Sequence, residues 1–331
     1  MFSDPSILHI PKDDADRCAF AVFTDTQDTD TVGKWWEAAL RDADEVFPQY
    51  GFIAHCGDIV ETSVLFEHWA KMLGNTAKHT RAYPLAAAPG NHDYWKWYLR
   101  DIVGSFYSHF NVSLTPQNTD YGAYYSVERG NMLILVLSTG DTNLTGGTLG
   151  KEQYEWAKKE LSESRMKWKT VLIHNPLFSP GKYGSRVPNN DHCLKLRAQL
   201  CPLFSDGGVD LVICGHDHMY ARTYPISADG TPVTNAPSKV YNYRGRSAEY
   251  FTAAAGPIHF EPACAGHQNR GLECEMTPEL SAPFREMRET GYGEVSWAAV
   301  DADGNALTVL FRTIDIESGK CVFESAFGLK K

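Results

Sequence analysis

Five hydrophobic runs end the same way in this chain, and that repetition constrains the fold more than any single motif. Residues 18–24 run into Asp25, and residues 52–56 run into Gly57-Asp58. Residues 83–88 lead to Gly90-Asn91-His92-Asp93, "TVLIH" ends on His174, and "VDLVIC" runs into Gly215-His216-Asp217-His218. Each run is short and apolar, as a buried strand is. Each delivers a polar side chain of metal-ligand type just past its end, and open α/β sheets place their sites at the carboxyl ends of strands. The glycines allow the sharp turns that let such side chains converge. A single aspartate after a strand is ordinarily a helix cap or a turn residue, and a single histidine is ordinarily a satisfied, partly buried imidazole. Five such events in order are not independent caps. His216 and His218, two apart on an extended segment, point to one side.

Helical patterns lie between the runs. Residues 31–47 predict a helix with Trp35, Trp36, Ala39 and Leu40 on one face, and residues 62–73 predict a second, capped by Thr62 or Ser63. Asp28 and Asp30 are expected to be solvated or to cap the first of these helices. Further helices are expected at 150–163 and 190–203. Residues 121–127 and 132–138 read as a hairpin about Arg129-Gly130-Asn131. Beyond residue 215 the pattern turns to strands, at 249–255, 294–300, 306–312 and 321–327, with "DADGN" (301–305) as a tight turn. The expected fold is α/β: a four-layer α/β/β/α sandwich of two mixed sheets with helices outside. One domain over 1–331 is expected, with an irregular insertion at about 257–290 as a cap or mobile loop.

Composition limits the partners. With 43% of its residues hydrophobic and 12% aromatic, the chain can bury a sizeable core. It has no apolar run of 18 residues or more, so no membrane partner is expected. A net charge of −10 disfavours nucleic acid. The first residues lack a basic stretch followed by a long apolar one, so a cytoplasmic location is expected. The eight cysteines include no CxxC pair. Cys56 and Cys214 read as buried thiols, while Cys264 and Cys274 offer a disulfide. The sequons at Asn111 and Asn143 weigh little in a chain of this length.

The ligand types gathered by the five runs are carboxylate, amide oxygen and imidazole, without a cysteine cluster. That set suits Mn, Zn or Fe better than a structural zinc knot. It is too large for one metal. Two divalent metal ions sharing a carboxylate can activate a bridging hydroxide for in-line attack at phosphorus.

The order Asp…GD…GNH[DE]…H…GHxH resembles the calcineurin-like metallophosphoesterase superfamily. "YGAYYSVERGNMLILVLST", "QYEWAKKELSESRMKWKTVLIHNPLFS", "GVDLVICGHDHMYARTYP" and "GYGEVSWAAVDADGNALTVLFRT" resemble its purple acid phosphatase branch, over roughly residues 18 to 328. The resemblance implies that Asp58 bridges two metals, one oxygen to each. Asn91, His174 and His216 then complete the second metal, and Asp25 and His218 hold the first. His92 is left off the metals, to hydrogen-bond phosphate and protonate the leaving oxygen. Two departures stand out. Gln27 occupies the place of a histidine ligand. Glu61 occupies the place of the metal-binding tyrosine, so the protein should not be purple. Glu61 is expected to orient His92, to reach the first metal, or to cap a helix at the surface. Tyr94 and Arg222 are candidate substrate contacts, although Arg222 is also placed to brace its own strand. Asp93 is expected to brace its loop.

The implied activity is hydrolysis of a small phosphomonoester or phosphodiester by a metal-bridging hydroxide, with a small phosphorylated substrate as the partner. A cyclic-nucleotide phosphodiesterase and an inactive binding module on the same fold are the rival readings. Oligomeric state is left open.

Overall fold

The computed structural model describes residues 14–29, 32–93, 106, 109–110, 124–139, 147–185, 191–267, 271–272 and 276–331. In chain order its strands are β1 (Arg17–Phe23), β2 (Ile53–His55), β3 (Leu85–Ala87), β4 (Tyr125–Arg129), β5 (Met132–Val136), β6 (Trp168–Leu172), β7 (Leu211–Ile213) and β8 (Tyr220–Thr223). They continue with β9 (Ser238–Tyr243), β10 (Arg246–Thr252), β11 (Ile258–Pro262), β12 (Phe284–Arg288), β13 (Glu294–Asp303), β14 (Ala306–Asp315) and β15 (Cys321–Lys330). Four longer helices are α1 (Lys34–Val46), α2 (Phe66–Asn75), α3 (Lys151–Glu163) and α4 (Asp191–Asp206).

Period-2 alternation builds the layers. In β1, Phe20 and Val22 face the space between the sheets, while Ala21 and Phe23 face helix α1, which carries Trp35 and Trp36. In β5, Ile134 and Val136 join that central core, while Leu133 and Leu135 pack under α3 and α4. Two mixed sheets result. One has eight strands in the order β3-β2-β1-β13-β14-β15-β10-β9, and the other seven in the order β12-β8-β11-β7-β6-β5-β4. Strands β1, β2 and β3 run parallel, as do β5, β6, β7 and β11. Their carboxyl ends meet at one rim.

Several sequence expectations shift here. Helix α2 starts at Phe66, with no side-chain cap at Leu65. Thr62 is held in a preceding turn by the Leu65 N–H at 3.1 Å, and the carbonyl of Ser63 accepts the Trp69 indole N–H at 2.7 Å. Helix α1 starts after Gly33 with no side-chain cap, and Asp28 is buried rather than solvated. Asp30 lies outside the described residues, as do Asn111, Asn143 and Cys274. The segment 257–290, read as an irregular insertion, supplies β11 and β12 to the seven-stranded sheet, with β11 between β8 and β7. His259, Glu261 and Pro262 interrupt its apolar pattern, although all three are buried. The polar strands β8 and β9 also escaped the sequence pattern. No helix among the described residues is long and apolar enough to cross a membrane.

Candidate metal centre

The loops leaving β1, β2, β3, β6 and β7 converge where the two sheets meet. Backbone bonds stitch the loops within each sheet: Asp25 N–H to Gly57 O at 3.0 Å, and Gly215 N–H to His174 O at 2.9 Å. Side chains stitch them across. The Asp25 carboxylate accepts the His216 N–H at 2.9 Å, and His174 Nδ1–H donates to Cys56 O at 2.8 Å.

The turns are strained. Seven non-glycine residues among those described have positive φ, and Asp25 (52°), Asp58 (54°), His216 (82°) and His218 (59°) are four of them. Such backbone persists where the surroundings over-determine it, and it clusters at functional sites. Packing explains two of the glycines. A Cβ on Gly90 would lie 2.2 Å from Asp58 Oδ1, and one on Gly215 would lie 2.4 Å from Asp25 Oδ2.

Asp58, His174 and His216 bring their ligand atoms within 4.8 Å of one another. His174 Nε2 lies 3.3 Å from Asp58 Oδ2, 3.1 Å from Asn91 Oδ1 and 3.2 Å from His216 Nδ1. Asn91 Oδ1 lies 2.8 Å from His216 Nδ1. Because His174 gives its Nδ1 proton to a carbonyl, its Nε2 faces this cluster. Four atoms that can each present a lone pair thus converge, and only protons or a cation relieve their mutual repulsion. Protons do so partly. Burial opposes a charge on His174, but the Asp58 carboxylate overrides it and raises the imidazole to about 9. Burial and His174 together push His216 down to about 4.

A second set adjoins the first. His218 Nε2 lies 3.2 Å from Asp25 Oδ1, and Asp25, despite burial, is held below the usual carboxylate range by that histidine. The Gln27 amide nitrogen lies 3.4 Å from both His218 Nε2 and Asp58 Oδ2. Its Oε1 is buried without a hydrogen-bond partner. A half-turn of the amide would exchange the two ends and aim the unpartnered oxygen at the cluster. The donor chemistry of both sets fits divalent cations. Asp58 departs from expectation in one respect: Oδ2 faces both sets, while Oδ1 accepts the His92 backbone N–H at 2.7 Å.

His92 sits beside this pair. Its Nδ1–H donates to the Glu61 carbonyl at 3.0 Å, and the Glu61 carboxylate is 3.5 Å from the same nitrogen. Its Nε2 is 4.0 Å from Asp58 Oδ2. Asp93 does more than brace its own loop. It accepts the N–H groups of Ile59 (2.9 Å) and Gly90 (2.9 Å), tying the β2 loop to the β3 loop. Arg222 is buried in β8 and bonded to Glu249 and Glu286, which leaves it bracing the sheet. Tyr94 lies outside the described residues.

Sequence reasoning passed over two buried carboxylates behind the His216–His218 turn. Asp217 accepts the N–H groups of Tyr183 and Gly184, and Glu261 accepts those of Asp217 and Met219. Asp217 was visible inside "GHDH". Glu261 carried no signal, because its segment read as irregular. The Cys264 side chain is buried and hydrogen-bonds His218.

Comparison with known proteins follows the same lines. The profile of the family described as calcineurin-like phosphoesterase matches residues 19–220. An acid phosphatase of Aspergillus ficuum is 32% identical over 174 residues, covering 49% of this chain and 27% of that protein. Purple acid phosphatase 18 of Arabidopsis thaliana is 28% identical over 148 residues, covering 44% and 32%. The chain therefore spans about a third or less of these curated relatives. The structure of a purple acid phosphatase from yellow lupin seeds superposes with a TM-score of 0.69 at 16% identity, over 95% of this chain and 54% of that one.

Proposed function

The chain belongs to the calcineurin-like phosphoesterase family, and we propose that it hydrolyses a small phosphomonoester or phosphodiester with two divalent metal ions, Mn, Zn or Fe. The observation that carries this reading is the convergence of Asp58, Asn91, His174 and His216, with Asp58 Oδ2 also facing the set of Asp25, Gln27 and His218. Asn91, His174 and His216 would hold one ion, Asp25, His218 and Gln27 the other, and Asp58 both.

Held by these residues, two cations would supply an acidified water as nucleophile and neutralise charge on the phosphoryl oxygens. The protein's own groups do the rest. Asp58 sets the spacing of the two positions, and the His92 N–H fixes its rotamer through Oδ1. His92 Nε2 faces the shared carboxylate; with the ring doubly protonated, Nε2–H would hydrogen-bond the phosphoryl group and pass that proton to the departing oxygen, leaving the neutral Nδ1–H form held by Glu61. Glu61 acts on His92 through its carbonyl, which holds the Nδ1 proton and leaves Nε2 for the substrate. With Glu61 at the tyrosine's place, no tyrosinate colour is expected.

The test is a screen of chromogenic monoesters and diesters against chelated protein with Mn²⁺, Zn²⁺, Fe²⁺ or Mg²⁺ added back. Metal-dependent turnover of either class supports the reading. Binding of fewer than two ions per chain, with no turnover under any condition, overturns it.

A further inference from the structure

Two loops contact the first metal position, the set of Asp25, Gln27 and His218, and touch each other. The first follows β11. Ala265 N–H donates to Thr24 O at 2.9 Å, and Gly266 lies so close to the β1 loop that a Cβ would sit 2.6 Å from Asp25 O. His267 therefore stands directly beside the residues of that position. The second loop precedes β13. The Thr290 hydroxyl donates to His218 O at 3.4 Å, and Tyr292 comes two residues later. The loops touch through these two rings. His267 Nε2 is 3.4 Å from the Tyr292 hydroxyl, and the rings meet edge-on at 5.5 Å and 79°. Trp35 packs edge-on against His267, at 5.0 Å and 67°.

Tyr292 is 84% exposed, the most exposed large apolar side chain among the described residues. A lone exposed aromatic is ordinary on a protein surface. This one is held edge-on by a partner ring, on a loop anchored to the carbonyl of His218. Glu294 accepts the Gly291 N–H at 2.8 Å and fixes the turn that carries it. The loop thus offers an exposed π face near the first metal position, with Glu294 paired to Arg288 at 3.0 Å at its base.

Resting on the hydrolase reading above, we infer that Tyr292 and His267 form a stacking wall for the organic part of the substrate. The matching class is a monophosphate bearing a planar ring, a nucleoside monophosphate above all.

Binding separates the two readings. The metal-loaded full chain is titrated by calorimetry with non-hydrolysable phosphonate analogues of adenosine 5′-monophosphate and of ribose 5-phosphate. Stacking of one base on an aromatic ring corresponds to a preference of roughly tenfold for the nucleotide. Tyr292→Ala should reduce that preference to about unity, and Tyr292→Phe should retain it. Equal affinity of the wild type for both analogues, or a preference that survives Tyr292→Ala, overturns the wall. So does failure to bind either. Turnover of ribose 5-phosphate itself tests the hydrolase reading separately, since that ester makes no demand on the wall.

Discussion

The two candidate metal positions share one scaffold and differ in their donors: an amide with two imidazoles at the second, an amide with one imidazole and a carboxylate at the first. Both lie on strained turns after parallel strands, Asp58 Oδ2 faces both, and buried carboxylates brace both. At the second position Asn91, His174 and His216 bring an amide oxygen and two imidazole nitrogens within 3.2 Å of one another. At the first, Asp25 and His218 are joined by Gln27, whose amide stands 3.4 Å from its neighbours. A carbonyl dipole is a weaker donor than an imidazole nitrogen, and half of that amide has no partner. On the proposed reading, the framework sets where cations would sit and the donors set how tightly they would bind. The two positions, the second the more compact, should then load unequally.

The shared carboxylate offers the largest effect. Asp58→Asn should lower kcat/KM by at least ~10³-fold, the scale of losing a key electrostatic element. It should also weaken metal binding at both positions. Loss of one ion only, measured by metal analysis, would break the claim that Asp58 is shared. The next contrast sets His174→Ala against Gln27→Ala. The first should cost about 10²-fold in metal affinity at its position, and the second less than about 10-fold, since ligand-shell changes span that range. The reverse order in calorimetric titrations would invert the comparison.

His92→Ala should leave metal content intact while slowing esters of poor leaving groups by about 10²-fold, the contribution of a general acid. Nitrophenyl esters should slow much less. Equal losses on both classes would reduce His92 to positioning phosphate. The smallest effect is expected from Glu61→Gln. The carbonyl at 3.0 Å remains when the partly exposed carboxylate at 3.5 Å is neutralised. Activity should fall by no more than about fivefold, as for an exposed ion pair. A drop in metal stoichiometry would instead move Glu61 onto the first metal.

What the sequence made legible follows from one physical fact: buried strands are apolar, so a polar residue at their ends stands out. Asp25, Asp58, Asn91, His174, His216 and His218 could all be picked out this way, and the structure brings them together. The strands β8, β9, β11 and β12 could not, because charged and polar residues break their alternation. Arg222 and Glu261 are buried within such strands, and β9 is an exposed edge. The start of α2 was misplaced because Thr62 and Ser63 are used in a preceding turn. The braces Asp93 and Glu261 act between loops distant in sequence, which no local pattern records. The partnerless Oε1 of Gln27 is likewise a fact of packing alone.

On the proposed reading, Gln27 leaves the first position modified and weaker. Calorimetric titration of chelated wild type and Gln27→His with Mn²⁺, with anomalous scattering to assign each ion, tests it most directly. The wild type should bind one ion tightly at Asn91, His174 and His216 and a second more weakly at Asp25 and His218. The variant should raise the weaker affinity by ~10-fold. Two equal, tight sites in the wild type, unchanged in the variant, would contradict the account.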